Sequence, residues 1–101
     1  MFVRATTAYV REGMVDKFVD IYANSIIPAA KKQKGYRGAH LFFDRKNLKG
    51  ISLTYWNSEA DENATGKSKY YSDQLLKVLV LLSADPFKEG YEVEFKDGEV
   101  L

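Results

Sequence analysis

Residues 36–56 read YRGAHLFFDRKNLKGISLTYW, the part of the chain from which its architecture can be worked out. Aromatic and β-branched residues dominate 36–44 and 50–56, a composition typical of β-strands. The polar segment 45–49 between them has the length of a hairpin loop. The stretch therefore predicts two antiparallel strands joined by a hairpin.

Both faces of this hairpin carry apolar side chains. Side chains alternate along a strand, and the two sets are Tyr36, His40 and Phe42 against Arg37, Leu41 and Phe43 in the first strand, and Ile51, Leu53 and Tyr55 against Ser52, Thr54 and Trp56 in the second. A sheet with helices on one side and water on the other alternates more cleanly. We therefore expect something apolar, most simply a second copy of the chain, to cover the second face as a homodimer.

A strand and an amphipathic helix precede the hairpin. Residues 1–10 have the composition of a strand, and Gly13 permits a turn after them. From Met14 onward an arc of about 100° on a helical wheel is apolar, and it is formed by Val15, Phe18, Val19, Tyr22, Ile26 and Ala29. Pro28 predicts a kink or a restart because it lacks an N–H donor, and Gly35 suits the left-handed position that ends a helix.

A second helical region follows the hairpin. Ser58 precedes acidic residues, which predicts a helix that begins there with the serine as its N-cap. Gly66 weakens that helix. A further helix is predicted over about 69–83, with polar residues before it.

The apolar run 75–82 lies in this last predicted helix, although by itself it could be a buried strand. As a helix it would be apolar almost all round, so we expect Val80 or Leu81 to be covered by a partner chain or a terminal segment. Residues 85–86, Asp-Pro, end the helix. Strict alternation over 91–95 then predicts a final strand with one wet face.

The predicted element order is β-α-β-β-α-β without an internal linker. This order is typical of the α+β, ferredoxin-like fold, a four-stranded antiparallel sheet with both helices on one face. We expect a single domain over residues 1–101, because a chain of this length can bury a real core.

Composition excludes several classes of function. The formal net charge of +1 argues against a nucleic acid or an anionic membrane as the main partner. The absence of cysteine and the single histidine exclude a thiolate metal site, a cysteine nucleophile and a multi-histidine site within one chain. No apolar run is long enough for a bilayer and no signal-peptide pattern is present, so we expect a soluble cytoplasmic protein. Seven Tyr, six Phe and one Trp suffice for a core plus a pocket or an interface.

In their order and spacing, several short motifs resemble the antibiotic-biosynthesis-monooxygenase-like (ABM-like) family of the dimeric α+β barrel superfamily. The resemblance covers nearly the whole chain, and it rests on the helix after Gly13, Ile27-Pro28-Ala29, Gly35-Tyr36-Arg37-Gly38, Asp44, Tyr55-Trp56-Asn57-Ser58-Glu59 and Tyr91-Glu92-Val93. It implies the ferredoxin-like fold and a homodimer in which two sheets pack face to face.

Members of the family include oxygenases without metal or flavin, and haem-degrading enzymes. The haem degraders have an Asn, a Trp and a haem-ligating His at places where an ungapped alignment puts Thr6, Thr65 and Leu75. His40 is the one histidine left to ligate haem by another geometry. The resemblance therefore implies an oxygenase that carries no cofactor rather than a haem degrader.

Five residues are candidates for the site. His40 is the candidate catalytic proton acceptor, although a lone strand histidine is more often an interface or core residue. Arg4, Tyr22, Trp56 and Tyr71 are candidates for substrate binding, although aromatic residues at these spacings usually pack in a core. Arg4 lies in an apolar strand and so needs a carboxylate partner, a solvent route or a substrate anion.

The leading hypothesis is a small cofactor-independent monooxygenase that acts on a planar phenolic or polycyclic compound in a cavity between helices and sheet. The alternative is a non-catalytic dimeric binding or stress-associated module on the same scaffold. The enzyme hypothesis needs the polar candidates, among them His40, Tyr22, Tyr71 and Arg4, to converge on one cavity. The alternative predicts that they are scattered.

Overall fold

The computed structural model describes residues 1–98. The elements, in chain order, are β1 (Phe2–Tyr9), α1 (Val15–Ile21), a π-helical segment (Tyr22–Ile26), α2 (Ile27–Ala30), β2 (Tyr36–Asp44), β3 (Lys49–Trp56), α3 (Glu59–Gly66), α4 (Lys69–Leu79) and β4 (Phe87–Glu92).

The four strands form one antiparallel sheet in the order β2-β3-β1-β4. The long connections from β1 to β2 and from β3 to β4 carry the helices. The ferredoxin-like β-α-β-β-α-β fold predicted from the sequence is therefore confirmed.

The core lies between the helices and one face of the sheet. It is formed by Ala8, Val10, Val15, Phe18, Val78, Leu81 and Leu82. Leu41 and Phe43 of β2 pack against this cluster, with the rings of Phe18 and Phe43 5.7 Å apart in an edge-to-face arrangement. One of the two apolar faces predicted for the hairpin is therefore the core face.

The other side of the sheet, which we call the open face, has no helix packed on it within residues 1–98. Strand alternation and register give its members as Val3, Ala5, Thr7 and Tyr9 of β1, His40, Phe42 and Asp44 of β2, Lys49, Ile51, Leu53 and Tyr55 of β3, and Phe87, Glu89 and Tyr91 of β4. The prediction of apolar side chains on both faces is thus correct, but the assignment of Tyr36 to the face of His40 and Phe42 is wrong. An irregularity in register between Tyr36 and Gly38 places Tyr36 opposite Trp56, on the core face.

The first helix restarts close to Pro28. The α-helical pattern gives way to the wider π-helical segment and resumes at Ile27, so that Pro28 lies in the first turn of α2. Proline needs no hydrogen-bond acceptor in a first turn, and this accounts for the restart. Gly35 has φ +84°, and a Cβ at this position would clash with the side chain of Asp61.

The expectation that a partner chain or a terminal segment covers Val80 or Leu81 is wrong for Leu81, and for Val80 it stays a prediction. Helix α4 ends at Leu79, and the following turn directs Leu81 into the core of the same chain, where its carbonyl accepts a 2.8 Å hydrogen bond from the Arg11 amide. Val80 is 74% exposed. The apolar run divides between a helix and a turn, so its two parts face different ways and Leu81 needs no partner chain.

The last strand lies earlier than predicted, at Phe87–Glu92 rather than 91–95. Strand β4 pairs with β1 from Thr7↔Phe87 to Phe2↔Glu92. The Val93 amide then donates to the Met1 carbonyl at 2.9 Å, one residue beyond the last strand pair. The pairing available on β1, and not the side-chain alternation, decides where β4 ends.

Candidate functional site

A cavity of about 90 Å³ lies between the helices and the core face of the sheet. Its floor consists of alternate residues from two neighbouring strands, Arg4, Thr6 and Ala8 of β1 and Ser52, Thr54 and Trp56 of β3. Their side chains share one face because Arg4 pairs with Thr54 and Thr6 with Ser52 in the sheet register. The small hydroxyl residues in the middle of the floor leave the space.

Helices form the other walls of the cavity. The first helical region contributes Phe18, Tyr22, Ile26 and Ala30, and α4 contributes Tyr70, Tyr71, Gln74, Leu75 and Val78. Ser68 caps α4 through a 3.2 Å hydrogen bond from the Tyr71 amide to its Oγ, which fixes where the two tyrosines begin the helix. The walls are thus mostly apolar and aromatic, as ligand cavities generally are.

Arg4 is the charged residue of the cavity lining. Its side chain is buried, and Nε donates to Oε1 of Glu62 at 2.6 Å while Nη2 donates to the Glu62 carbonyl at 3.0 Å. Glu62 is itself buried on α3. These two hydrogen bonds use two of the five N–H donors of a guanidinium. Arg4 is therefore both paired and still able to donate to a ligand.

Two aromatic rings lie beside the same guanidinium. Its central carbon is 5.3 Å from the centroid of Trp56 and 4.9 Å from that of Tyr71. Both distances are within the range of a cation–π interaction. Trp56 is held in turn by a 3.0 Å hydrogen bond from its Nε1 to Oγ1 of Thr54. Arg4 and the two rings thus pack together as one group at the end of the cavity.

Tyr22 lies on the helical wall that faces the floor of the cavity, and its side chain reaches the floor. Its hydroxyl shares a 2.6 Å hydrogen bond with Oγ of Ser52. Burial raises the pKa of Tyr22 to about 12, although the hydrogen bond with Ser52 lowers it in part. Burial also raises the pKa of Tyr70 and of Tyr71, in both cases against the opposing effect of the positive charge of Arg4.

The chemistry available in the cavity follows from these groups. The three phenols, like ordinary tyrosines, are neutral at physiological pH, and burial raises their pKa values further. They can donate hydrogen bonds but do not act as bases. Among the described residues that line the cavity, none is Asp, Glu or His. The arrangement can bind a planar ring, exclude water and stabilise a negative charge.

The structure brings four of the five candidate residues together. Arg4, Tyr22, Trp56 and Tyr71 all line the cavity, so the proposed convergence holds for them. His40 does not line it. Its Nδ1 lies 3.4 Å from the Tyr55 hydroxyl and its ring stacks on Phe42, all on the open face.

Sequence reasoning missed Ser52, Thr54, Gln74 and Glu62. Ser52 and Thr54 carried a signal, since they alternate with Trp56 along one strand and so had to share its face. Glu62 carried none, because nothing in a sequence relates a strand residue to a carboxylate that lies 58 positions later.

The described residues contain no group of three or more histidine, cysteine, aspartate or glutamate side chains placed to hold a metal ion. Between residues 1 and 98, no helix has both the length and the apolar character needed to cross a membrane.

The fold is that of a small α+β protein, and several solved structures share it. SnoaB, a cofactor-independent oxygenase from Streptomyces nogalater, is 10% identical and superposes with a TM-score of 0.80, covering 97% of each chain. A protein of unknown function from Nitrosomonas europaea is 16% identical with a TM-score of 0.79, covering 98% of this chain and 94% of its own.

An antibiotic biosynthesis monooxygenase is 11% identical with a TM-score of 0.75, covering 92% of this chain and 98% of its own. The resemblance to ABM-like proteins is thereby confirmed at the level of the fold. No protein-family model matches the sequence, and no curated protein does.

Proposed function

We propose that the protein is a cofactor-independent monooxygenase that acts on a planar, electron-rich phenol in the cavity. The observation that carries the proposal is the convergence of Arg4, Tyr22, Trp56 and Tyr71 on one largely apolar cavity. The fold that the chain shares with a cofactor-independent oxygenase from Streptomyces nogalater supports it.

The reaction needs the phenol to lose a proton, because the phenolate is electron-rich enough to react with dioxygen. The guanidinium of Arg4 stabilises the anion, and the neutral tyrosine hydroxyls donate hydrogen bonds to it. The proton passes to water at the mouth of the cavity, since the described lining supplies no base. Oxidation of a phenol to a quinone then places one oxygen atom of dioxygen in the product and releases the other as water, without an external reductant.

The volume of the cavity favours a substrate with one ring. A cavity of about 150 Å³ is known to hold benzene, whereas this cavity measures about 90 Å³. Either kind of substrate requires the aromatic walls to move apart, and a monocyclic phenol requires the smaller movement. Within the planar compounds expected from the sequence, we therefore favour phenolic compounds over polycyclic ones.

The test is dioxygen uptake by the purified protein after removal of metals with a chelator, with an electron-rich monocyclic phenol as substrate. We expect one dioxygen consumed for each quinone formed. Arg4→Met should lower the rate on the order of a hundredfold, the usual effect of losing one anion-stabilising donor. Arg37→Met is the control for loss of an arginine outside the cavity, because Arg37 is exposed and donates to Asn57. Arg4→Met also leaves Glu62 buried without its partner, so the rates are compared at a temperature at which circular dichroism shows every variant to be folded. Equal rates for Arg4→Met and wild type would contradict the proposal.

The alternative proposal is a binding module that has the cavity without the chemistry. The absence of Asp, Glu and His from the described cavity lining favours it. It predicts that the same phenols bind, and that they are recovered unchanged after incubation with the protein in air.

We also propose that the protein forms a homodimer through the open face. Phe42, Phe87 and Tyr91 are large, at least half exposed, and all lie on this face. A stable pairing should bury on the order of 2,000 Å² or more in total. Phe42→Asp should give a folded monomer in sedimentation velocity. Val80→Asp, which places the same charge on the helical side of the molecule, should leave the dimer intact.

A further inference from the structure

His40 and Glu89 occupy the two ends of one row across the sheet. The register pairs His40 with Leu53, Leu53 with Ala5, and Ala5 with Glu89. All four side chains therefore point to the open face. With neighbouring strands about 4.8 Å apart, the two ends of the row are separated by roughly 14 Å. A basic side chain thus marks one edge of the open face and an acidic one marks the other edge.

The next row of the open face along the strands also has side chains at its two ends that can contact each other favourably. Phe42 pairs with Ile51, Ile51 with Thr7, and Thr7 with Phe87. Its two ends are aromatic residues that are 55% and 61% exposed. Two adjacent rows thus end in side chains that complement one another, by charge in one row and by aromatic contact in the other.

A two-fold axis decides which ends meet when two such faces pack together. An axis parallel to the strands through the middle of the sheet places β2 of one chain over β4 of the other. His40 then lies opposite the Glu89 position of the second copy, and Phe42 lies opposite the Phe87 position. An axis that runs along the row of His40 and Glu89 would instead oppose like with like, so that two Glu89 carboxylates would face each other.

We propose that the open face binds the same face of a second copy with His40 of each chain opposite Glu89 of the other, and that protonation of His40 tightens the dimer. The proposal rests on the homodimer proposed above. The cavity lies wholly on the other side of the sheet, so the pairing and the oxygenase chemistry can fail independently.

Other charged and titratable groups on the open face lie away from this contact or already have partners. Lys49 and Asp44 pair with each other in the register at the hairpin end of the face. The Tyr91 hydroxyl donates to Oε2 of Glu89 at 2.6 Å, and the Tyr55 hydroxyl lies near His40. Tyr9 lies beside Lys49. The carboxylate of Glu89 is therefore the negative charge that His40 would meet in the second copy.

The direction of the pH effect follows from linkage. Histidine changes charge between about pH 5 and pH 8, and a histidine beside a carboxylate binds its proton more tightly. A proton bound more tightly by the dimer than by the monomer favours the dimer as the pH falls. Because the symmetry produces two such contacts, we expect the dissociation constant to be roughly fivefold or more smaller at about pH 6 than at about pH 8.

The test is sedimentation velocity of the full chain at these two pH values over a concentration series. His40→Gln and Glu89→Gln should each abolish the pH dependence while the circular dichroism spectrum stays that of the wild type. Glu92→Gln is the matched control, since Glu92 lies on β4 in the row of Phe2 and so faces away from the open face. It should retain the full pH dependence.

Three results would overturn the pairing. These are a dimer whose dissociation constant is the same or larger at the lower pH, a pH dependence that survives His40→Gln, and a chain that stays monomeric at both pH values. None of them affects dioxygen uptake, which tests the oxygenase separately. If the wild-type protein forms the pH-dependent dimer but takes up no dioxygen, only the proposed oxygenase activity is contradicted.

Discussion

Arg4 depends on a single buried carboxylate. Both the side chain and the carbonyl of Glu62 accept hydrogen bonds from its guanidinium. Removing one member of a buried ion pair leaves the other charge without compensation. We therefore expect Glu62→Ala to lower the free energy of unfolding by about 3–5 kcal/mol in urea denaturation.

The control for this variant lies one turn earlier on the same helix. Glu59 is exposed in the first turn of α3, so Glu59→Ala should change the free energy of unfolding by less than about 1 kcal/mol. Similar losses for the two variants would mean that Arg4 is well solvated without its partner.

Tyr22 links the stability of the fold to alkaline pH. Burial raises its pKa from 10.0 to about 12, so the folded state prefers the neutral phenol. The contribution of this preference to the free energy of unfolding is fully present below about pH 10 and is lost as the pH rises towards 12. The total loss is on the order of 3 kcal/mol. The free energy of unfolding should therefore fall less steeply over this range in Tyr22→Phe than in wild type. Tyr9→Phe removes an exposed phenol on the open face, and the same slope in both variants would contradict the assignment.

The sequence showed which residues could form a site better than it showed their partners. Arg4 could be chosen as a candidate from its own strand, because a charge among apolar residues needs a compensating partner. The partner itself, Glu62, lies on another element, and Ser52, the partner of Tyr22, also lies on a distant strand. Neither partner could be predicted from the sequence. His40 had the chemistry of a base, but strand alternation placed it on the face away from the cavity.

At the scale of elements, the N-terminus of α4 sets the position of two cavity residues. Ser68 accepts a hydrogen bond from the Tyr71 amide, and Tyr70 and Tyr71 line the cavity from the first turn. Ser68→Ala should lower the free energy of unfolding by about 1 kcal/mol and should also weaken binding of a phenol to the cavity.

Ser58 provides the comparison, because it caps α3 in the same way through a 3.1 Å bond from the Asp61 amide. Ser58→Ala should cost a similar free energy but weaken phenol binding less, since no residue of α3 lines the cavity and α3 reaches it only through the contact of Glu62 with Arg4. Equal effects of both variants on binding would show that general stability, and not the position of the tyrosines, determines affinity.

Element boundaries were harder to predict than the elements themselves. The helix after Gly13 and the cap at Ser58 could be predicted from local chemistry, and the structure has both. The ends of α4 and β4 could not, because tertiary pairing sets them. Leu82 bridges to Val10 after α4, and β4 ends at Glu92, opposite Phe2 of β1.

The two faces of the sheet differ in what they form in the whole molecule. The core face builds the cavity, and the open face carries the exposed aromatic residues. The sequence predicted that both faces would be apolar because side chains alternate along each strand of the hairpin, and both of the alternate sets contain apolar residues. It could not predict the volume of the cavity, which depends on how closely the two helical regions approach the floor at Thr6 and Ser52.

Trp56 offers the sharpest test of the cavity as the ligand site. It is the one tryptophan of the chain, and its ring lines the cavity beside Arg4. Titration with an electron-rich monocyclic phenol under nitrogen, followed by Trp56 fluorescence, should give a saturable change with one site per chain. Cyclohexanol, which has a hydroxyl but no planar ring, should bind more weakly. An unchanged Trp56 emission, with calorimetry showing either no binding or binding elsewhere, would contradict the cavity as the functional site.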